Sequence, residues 1–211
     1  MNRLLREMPR RRAAMPDVAV VGGGIVGAAT ALALARAGFD TVMLEARAPT
    51  PWQSQAEVDL RVVGLAPSSI ALLDELGVWP SIRDARASAY AHMHVWDAAS
   101  GAAIDFDAAA EGRRELGFIV ENNLVQWTLW QALEAAGVRR LCPSAVQGFE
   151  ARADHVRLQL DDGETLSAAL LVAADGSASP LRQLAGIGTR GRDYAQRAVV
   201  AHVHTERPHD S

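Results

Sequence analysis

Lysine is missing from this sequence of 211 residues, so all 21 basic residues are arginines. The formal net charge is -4, and a chain without a basic excess does not attract nucleic acid by bulk electrostatics. Cys142 is the only cysteine, which excludes a disulfide within the chain and a metal site built on cysteines. We therefore expect no nucleic-acid partner and no disulfide framework, and a reducing compartment fits.

Long apolar runs are also missing, since none approaches the roughly 20 residues that a membrane-spanning helix needs. The arginine-rich start of the chain leads into Pro16 and Asp17, without the apolar stretch and cleavage site of a secretory signal. We interpret residues 1–16 as a flexible basic arm, with Met15 as an alternative start. A mitochondrial presequence is the second interpretation, because Glu7 is the only acid among many arginines in this arm.

Hydrophobic residues make up 49% of the sequence, enough for a sizeable core. Residues 18–21 form a short apolar run, a glycine triplet follows, and residues 25–37 are rich in alanine and leucine up to Gly38. A second apolar run covers residues 41–44. Strand, helix and strand in so few residues predict a right-handed parallel βαβ unit.

The rest of the chain predicts a mixture of helices, hairpins and one more buried strand. Helices are predicted over 68–76, over 123–136 and from Pro180, and residues 49–57 form a loop. Alternation predicts a hairpin of 92–96 with the segment around 104–106, and a meander of 146–153, 155–160 and 165 onward. The apolar run 170–174 predicts a buried strand, and 199–203 a last strand.

Gly22-Gly23-Gly24-Ile25-Val26-Gly27 fits the dinucleotide-binding pattern G-x-G-x-x-G. Gly22 permits the tight turn, Gly24 lets a pyrophosphate approach the backbone, and Gly27 lets the helix pack on the strands. Unpaired N–H groups and the dipole at the helix N-terminus favour the phosphates. Glu45 ends the next strand about 20 residues on, where such sites hold ribose hydroxyls. The pattern in this context predicts a dinucleotide site.

A second motif favours FAD over NAD. The predicted strand 170–174 ends in Asp175-Gly176, and Arg182 follows. Together with the glycine pattern, this motif resembles the pair of motifs in the FAD-dependent aromatic hydroxylases. The residues between resemble the ubiquinone-biosynthesis branch of that family, at Asp59-Leu60-Arg61, Ser68-Ser69, Leu76-Gly77-Val78-Trp79, Val95-Trp96-Asp97, Leu116 to Asn122 and Leu129 to Leu133. The resemblance runs from about Val18 to His209.

The resemblance implies an α/β fold: a three-layer, Rossmann-like FAD-binding fold with a β-meander, plus part of a mixed-sheet substrate domain. It places the FAD-binding domain at 17–85 and 112–189, and an incomplete substrate-domain sheet at 86–111 and 190–211. It also implies roles for individual residues. Arg61 reaches the flavin or its phosphates, and Gln126 contacts the ribityl or phosphate region. The backbone of Val146 contacts the adenine. Asp175 and Gly176 belong to the motif that contacts both FAD and the nicotinamide co-substrate.

The implied activity is hydroxylation of the aromatic ring of a polyprenylated phenol or quinol. NAD(P)H is the implied co-substrate that reduces FAD, and dioxygen supplies the oxygen atom. No catalytic residue is legible. We expect a cytoplasmic protein with a lipid-like substrate, and peripheral association with the inner membrane or a biosynthetic complex as a further expectation.

Other interpretations stay open at this point. No Gly-Asp dipeptide occurs in the sequence, although the family carries one in a later flavin-binding motif, so we expect about half of the family's usual length. A non-catalytic or inactive truncated dinucleotide-binding module is the alternative, and an NAD-dependent dehydrogenase is a third. The pairs His92/His94 and His202/His204 each share a predicted strand face, but neither brings a carboxylate or cysteine, and we expect no metal site.

Overall fold

The computed structural model describes residues 15–207, so the predicted arm lies outside the described residues except for Met15 and Pro16. The strands are β1 (Val18–Val21), β2 (Thr41–Leu44), β3 (Val62–Leu65), β4 (Ala87–Tyr90), β5 (His92–Trp96), β6 (Ala103–Asp107), β7 (Gly117–Glu121), β8 (Arg139–Leu141), β9 (Val146–Ala151), β10 (Val156–Leu160), β11 (Thr165–Ala168) and β12 (Leu170–Ala173). The α-helices are α1 (Ile25–Arg36), α2 (Pro67–Glu75), α3 (Trp79–Arg86), α4 (Asn122–Ala135) and α5 (Pro180–Leu184).

A four-stranded parallel sheet in the order β12-β1-β2-β8 forms the centre of the fold. The central strand β1 is buried along its whole length, as expected for parallel strands that are covered on both faces. Val18 and Val20 pack into the cluster that includes α1 and α4, while Ala19 and Val21 pack against Leu158 of β10. The layers are therefore helices, parallel sheet and meander, which confirms the predicted three-layer fold.

The second face of the parallel sheet is covered by the antiparallel meander β9-β10-β11. Its first two strands pair in a register that sets Leu158 opposite Phe149. Asp162 and Gly163 form the turn between β10 and β11, and Gly163 adopts the left-handed conformation with φ +85°. This meander leads directly into β12, so Asp175 arrives beside the end of β1.

Two smaller sheets lie outside the three layers. The first has the order β3-β7-β4 and is antiparallel, with Val62 of β3 opposite Glu121 of β7. The second is the predicted hairpin of β5 and β6, in which Val95 pairs with Ile104. Both of these side chains are exposed.

The sequence-based prediction of a strand over 199–203 is wrong for this structure. Residues in this range have no regular secondary structure, and the side chain of Val199 is 92% exposed. A strand needs a neighbour for its backbone groups, and within residues 15–207 no pairing partner reaches this segment. The apolar residues of this run favour a strand, but the described part of the chain provides no neighbouring strand for it.

None of the helices in the described range combines the length and hydropathy of a membrane-spanning segment. The boundaries predicted for the FAD-binding and substrate domains stay a prediction.

Candidate cofactor site

The glycine loop lies between β1 and α1, and two of its glycines are required by the chain's own packing. Gly22 has φ +108°, and a Cβ there would lie 2.2 Å from the carbonyl oxygen of Ala174. A Cβ on Gly27 would lie 1.8 Å from the carbonyl oxygen of Gly22. At these two glycines, β1, α1 and the end of β12 lie so close together that no side chain fits between them.

Gly24 is different, because the protein itself does not require a glycine there. Its φ is -67°, which any residue adopts, and no atom lies within 4 Å of an added Cβ. Gly24 is the N-cap of α1, it makes no side-chain capping hydrogen bond, and the first turn has no acidic residue. Such a terminus offers N–H groups without intrahelical partners to an anion. The open space at Gly24 fits a pyrophosphate.

The two residues after Gly24 contribute to the site through the backbone. Ile25 is half-buried and packs against the core, whereas the Val26 side chain is 71% exposed. Neither side chain offers a polar group. Their predicted role in cofactor binding therefore depends on their N–H groups at the start of α1.

Glu45 follows β2 and lies beside the glycine loop. One carboxylate oxygen accepts a hydrogen bond from the N–H of Gly23, and the other accepts one from the N–H of Arg47 at 3.0 Å. The side chain is half-buried. A carboxylate oxygen has more than one lone pair, so Glu45 keeps acceptor capacity for ribose hydroxyls.

A cavity of about 340 Å³ brings together both predicted motifs. Its lining includes Gly22, Gly24, Glu45, Val146, Asp175 and Gly176. A volume in this range is typical of a small-ligand site. The geometry thus joins residues that are up to about 150 positions apart in the sequence.

Ser144 also lines this cavity, although no sequence pattern predicts it there. Its side chain is buried, and within residues 15–207 its Oγ has no hydrogen-bond partner. Buried hydroxyls are normally paired, so this orphaned atom fits a site that receives a polar ligand such as a ribose or adenine. A single serine after a proline carries no recognisable sequence signal.

Asp175 uses its carboxylate to build the turn between β12 and α5. One oxygen accepts a hydrogen bond from the Ser179 hydroxyl, and the other accepts one from the N–H of Leu181 at 2.9 Å. Gly176 beside it has φ +91°. The Asp-Gly motif therefore forms a wall of the cavity and orders the start of α5.

A second, open groove of about 1040 Å³ continues from the first cavity, with Glu45 and Ala46 in both linings. Arg61 and Gln126 line this groove. The backbone carbonyl of Arg61 accepts a hydrogen bond from the N–H of Asn122 at 2.9 Å, which fixes the Arg61 backbone beside the start of α4. The predicted phosphate and ribityl contacts thus lie on the side of Glu45 away from Val146.

The lining of the groove includes Glu121, whose buried carboxylate pairs with the partly exposed Arg86, a pair that the sequence did not reveal. Glu121 is 3% exposed and accepts hydrogen bonds from Arg86 Nη1 at 2.8 Å and from Trp52 Nε1 at 3.0 Å. Arg86 also donates to the carbonyls of Ser54 and Ala56. This network ties the loop 51–56, which forms one side of the groove, to β7 and α3.

His92 and His94 lie away from this site, on the β5–β6 hairpin. His94 pairs with Asp105 across the β5–β6 hairpin, and His92 lies 3.6 Å from Asp107. Each of these two carboxylates therefore contacts one imidazole ring. In the part of the chain that the structure describes, no three His, Cys, Asp or Glu side chains are grouped so as to hold a metal ion.

Cys142 lies near the cofactor site but outside the residues that line it. Burial raises the pKa of its thiol, the negative charge of Glu45 raises it further, and Arg140 lowers it. We expect iodoacetamide at pH 8 to alkylate Cys142 several-fold more slowly than it alkylates glutathione, because the thiolate is the reactive form. Mass spectrometry of timed samples measures the rate. A rate equal to that of glutathione would contradict the raised pKa.

Fold and site together define a dinucleotide-binding protein of the Rossmann type. A family model described as "FAD binding domain" matches residues 15–211. The chain therefore belongs to this FAD-binding family, and FAD is the cofactor of the domain. The prediction of FAD from the Asp175-Gly176 motif is confirmed.

Three relatives of this chain have names that refer to ubiquinone or a ubiquinol. The chain is 38% identical over 197 residues to the 3-demethoxyubiquinol 3-hydroxylase of Escherichia coli, covering 92% of this chain and 50% of the relative. It is 37% identical to the mouse mitochondrial ubiquinone biosynthesis monooxygenase COQ6, covering 89% and 42%. It is 34% identical to the ubiquinone hydroxylase UbiL of Rhodospirillum rubrum, covering 92% and 44%. The chain thus spans about half the length of these relatives, and the predicted resemblance is confirmed.

Solved structures give the same fold. The p-nitrophenol 4-monooxygenase PnpA of Pseudomonas putida matches with a TM-score of 0.66 at 27% identity, covering 82% of this chain and 44% of that one. PqsL of Pseudomonas aeruginosa matches with a TM-score of 0.67 at 22% identity, covering 85% and 48%. The second likeness shows the fold alone.

Proposed function

We propose that this chain supplies the FAD-binding part of a monooxygenase that hydroxylates the ring of a polyprenylated phenol or quinol in ubiquinone biosynthesis. The observation that carries the proposal is the 38% identity, over 92% of the chain, to a 3-demethoxyubiquinol 3-hydroxylase. The proposed co-substrates are NAD(P)H and dioxygen. The division into an FAD-binding domain and part of a substrate domain belongs to the same proposal.

In this proposal the glycine loop holds the pyrophosphate of FAD. The open space at Gly24 and the uncapped start of α1, with the N–H groups of Ile25, Val26 and Gly27, support this role. A phosphate there also gains from the positive end of the helix dipole. Gly22 contributes by turning the chain so that the loop and the helix start face the same cavity.

The adenosine half of FAD lies in the first cavity, and the flavin half points along the second groove. Glu45 accepts hydrogen bonds from the ribose hydroxyls, and the backbone near Val146 meets the adenine. On the other side, Gln126 and Arg61 face the ribityl chain and phosphates. A planar guanidinium suits phosphate oxygens through paired hydrogen bonds, and Asp175 and Gly176 line the first cavity.

FAD, when bound, supplies the redox chemistry that moves an oxygen atom from dioxygen to the ring. The chain's own residues bind and orient the cofactor. The Glu121–Arg86–Trp52 network holds the loop that borders the groove, which fixes the position of that wall relative to α4. A wall held in place by such a network helps to orient the bound cofactor.

A lipid-like quinol substrate implies contact with a membrane surface or with a biosynthetic complex. We include peripheral association at the inner membrane of a cytoplasmic protein in the proposal. Co-sedimentation with liposomes that contain a long-chain quinol, compared with liposomes that lack it, measures this association directly. Equal sedimentation in both samples would contradict a role for the substrate.

The activity test uses the purified protein that contains this chain, with added FAD, NADH or NADPH, and a demethoxyubiquinol with a short prenyl tail. We expect oxidation of the nicotinamide that depends on the quinol, and a product that gains one oxygen atom from ¹⁸O₂ by mass spectrometry. A yellow protein that binds FAD but gives no labelled product would favour the alternative of a non-catalytic FAD-binding module. Label from H₂¹⁸O instead of ¹⁸O₂ would contradict the monooxygenase class.

A further inference from the structure

We propose that Trp130 is a positioning residue for the pyrophosphate-binding loop. Its indole N–H, together with the amide of Gln126, sets the direction of the peptide that joins Gly23 to Gly24. The inference rests on the proposed FAD site in the glycine loop. It assigns a task to a tryptophan that lies 107 residues away from the loop in the sequence.

Two side chains of α4 donate to one carbonyl oxygen of the loop. Trp130 Nε1 donates to the Gly23 oxygen at 2.7 Å, and Gln126 Nε2 donates to the same oxygen at 2.8 Å. The positions differ by four, so both side chains lie on one face of the helix. Trp130 is 5% exposed, and water therefore does not replace the carbonyl as the partner of the indole.

The contact is close enough to exclude any other residue at position 23. A Cβ on Gly23 would lie 2.6 Å from Cζ2 of Trp130. Arg140 also contacts the indole, because its guanidinium carbon lies over the Trp130 ring, 5.6 Å from the ring centre. The indole thus lies fixed between the loop and Arg140.

The loop needs such a contact because its own sequence does not fix its conformation. Three successive glycines populate many backbone conformations about equally. Glu45 fixes the N–H of Gly23, but that group belongs to the preceding peptide. The carbonyl of Gly23 and the N–H of Gly24 share the next peptide, which Glu45 does not contact.

In a planar trans peptide the C=O and the N–H point in opposite directions. With the Gly23 oxygen held toward α4, the N–H of Gly24 points away from α4. Gly24 is the position with open space for a phosphate. A flipped peptide would instead turn a carbonyl oxygen toward the phosphate site and repel it. Trp130 therefore acts on the phosphates of FAD through the Gly24 N–H.

The test replaces the indole by a ring without a donor. Trp130→Phe keeps an aromatic ring in the core but removes the N–H donor and part of the ring volume, while Trp127→Phe on the same helix is the control for the loss of ring volume. We expect Trp130→Phe to raise the Kd for ADP about two- to tenfold, the range of one lost hydrogen bond. The Kd for adenosine, which has no pyrophosphate, stays unchanged. Isothermal titration calorimetry measures both.

A purely structural role for Trp130 predicts equal losses for ADP and adenosine, and either that result or no loss at all would overturn the inference. A second readout is independent of nucleotide affinity. In the wild-type chain without ligand, the Trp130 indole N–H exchanges slowly with deuterium by NMR. A fast-exchanging Trp130 indole overturns the inference. If wild-type protein binds no FAD but protects this indole, the proposed function fails and the loop contact stands.

Discussion

Gly24→Ser is expected to raise the Kd for FAD about tenfold or more while leaving the fold intact. The free energy of unfolding should stay within about 0.5 kcal/mol, because serine is a preferred N-cap residue and an added Cβ at position 24 meets no protein atom within 4 Å. Binding suffers because the side chain fills the space proposed for the pyrophosphate. Its hydroxyl also accepts a hydrogen bond from an N–H of α1 that the phosphate would otherwise use.

Fluorescence titration of FAD measures the affinity, and urea denaturation measures stability. Gly188→Ser is the matched control, since position 188 lies in an exposed segment and an added Cβ there also meets nothing. The control should change neither quantity. If Gly24→Ser bound FAD as tightly as the wild type, the pyrophosphate would lie elsewhere, and the role given to the glycine loop would be wrong.

Arg86→Leu is expected to lower the free energy of unfolding by about 2–4 kcal/mol. Removal of one partner leaves the other charge of a buried pair uncompensated, and Glu121 is 3% exposed at its side chain. The loop carbonyls of Ser54 and Ala56 lose donors at the same time. Chemical denaturation followed by circular dichroism measures the change.

Arg83→Leu provides the comparison on the same helix. Arg83 pairs with Asp84 at 2.8 Å, but both side chains are more than half exposed, and exposed pairs contribute little. We expect an unchanged denaturation midpoint for this variant. Equal destabilisation by the two substitutions would show that the charge of α3, and not the buried pair, accounts for the loss.

The central βαβ unit and both chemical motifs were predictable from the sequence because backbone requirements determine them. Gly22 and Gly27 have no alternative residue at their positions, and short apolar runs such as 18–21 have the length and composition of buried parallel strands. Those constraints are local in sequence. The positions of Glu45 after β2 and of Asp175 after β12 were therefore predictable, and their roles in cofactor binding stay a prediction.

The contacts that depend on distant pairing were not predictable. Trp52 and Glu121 are 69 residues apart, and Trp130 and Gly23 are 107 residues apart. Neither pair leaves a periodic pattern. Strands β3, β4 and β7 contain glycine or small residues and lack clear alternation, so they were missed for the same reason.

Helix α3 was missed because it is short and polar. It begins at Trp79, with Pro80 as its second residue, and its buried residues are Trp79 and Ile82. The opposite error occurred at 199–203, where an apolar run predicts a strand and the described chain offers no neighbour for it.

The proposed function depends most directly on FAD binding by this chain. Titration of the purified, ligand-free protein with FAD and separately with NAD, followed by flavin fluorescence and calorimetry, tests it. We predict one FAD per chain, displaced competitively by ADP, and no comparable affinity for NAD. Tight binding of NAD with no affinity for FAD would contradict the account and favour a dehydrogenase that uses the same glycine loop.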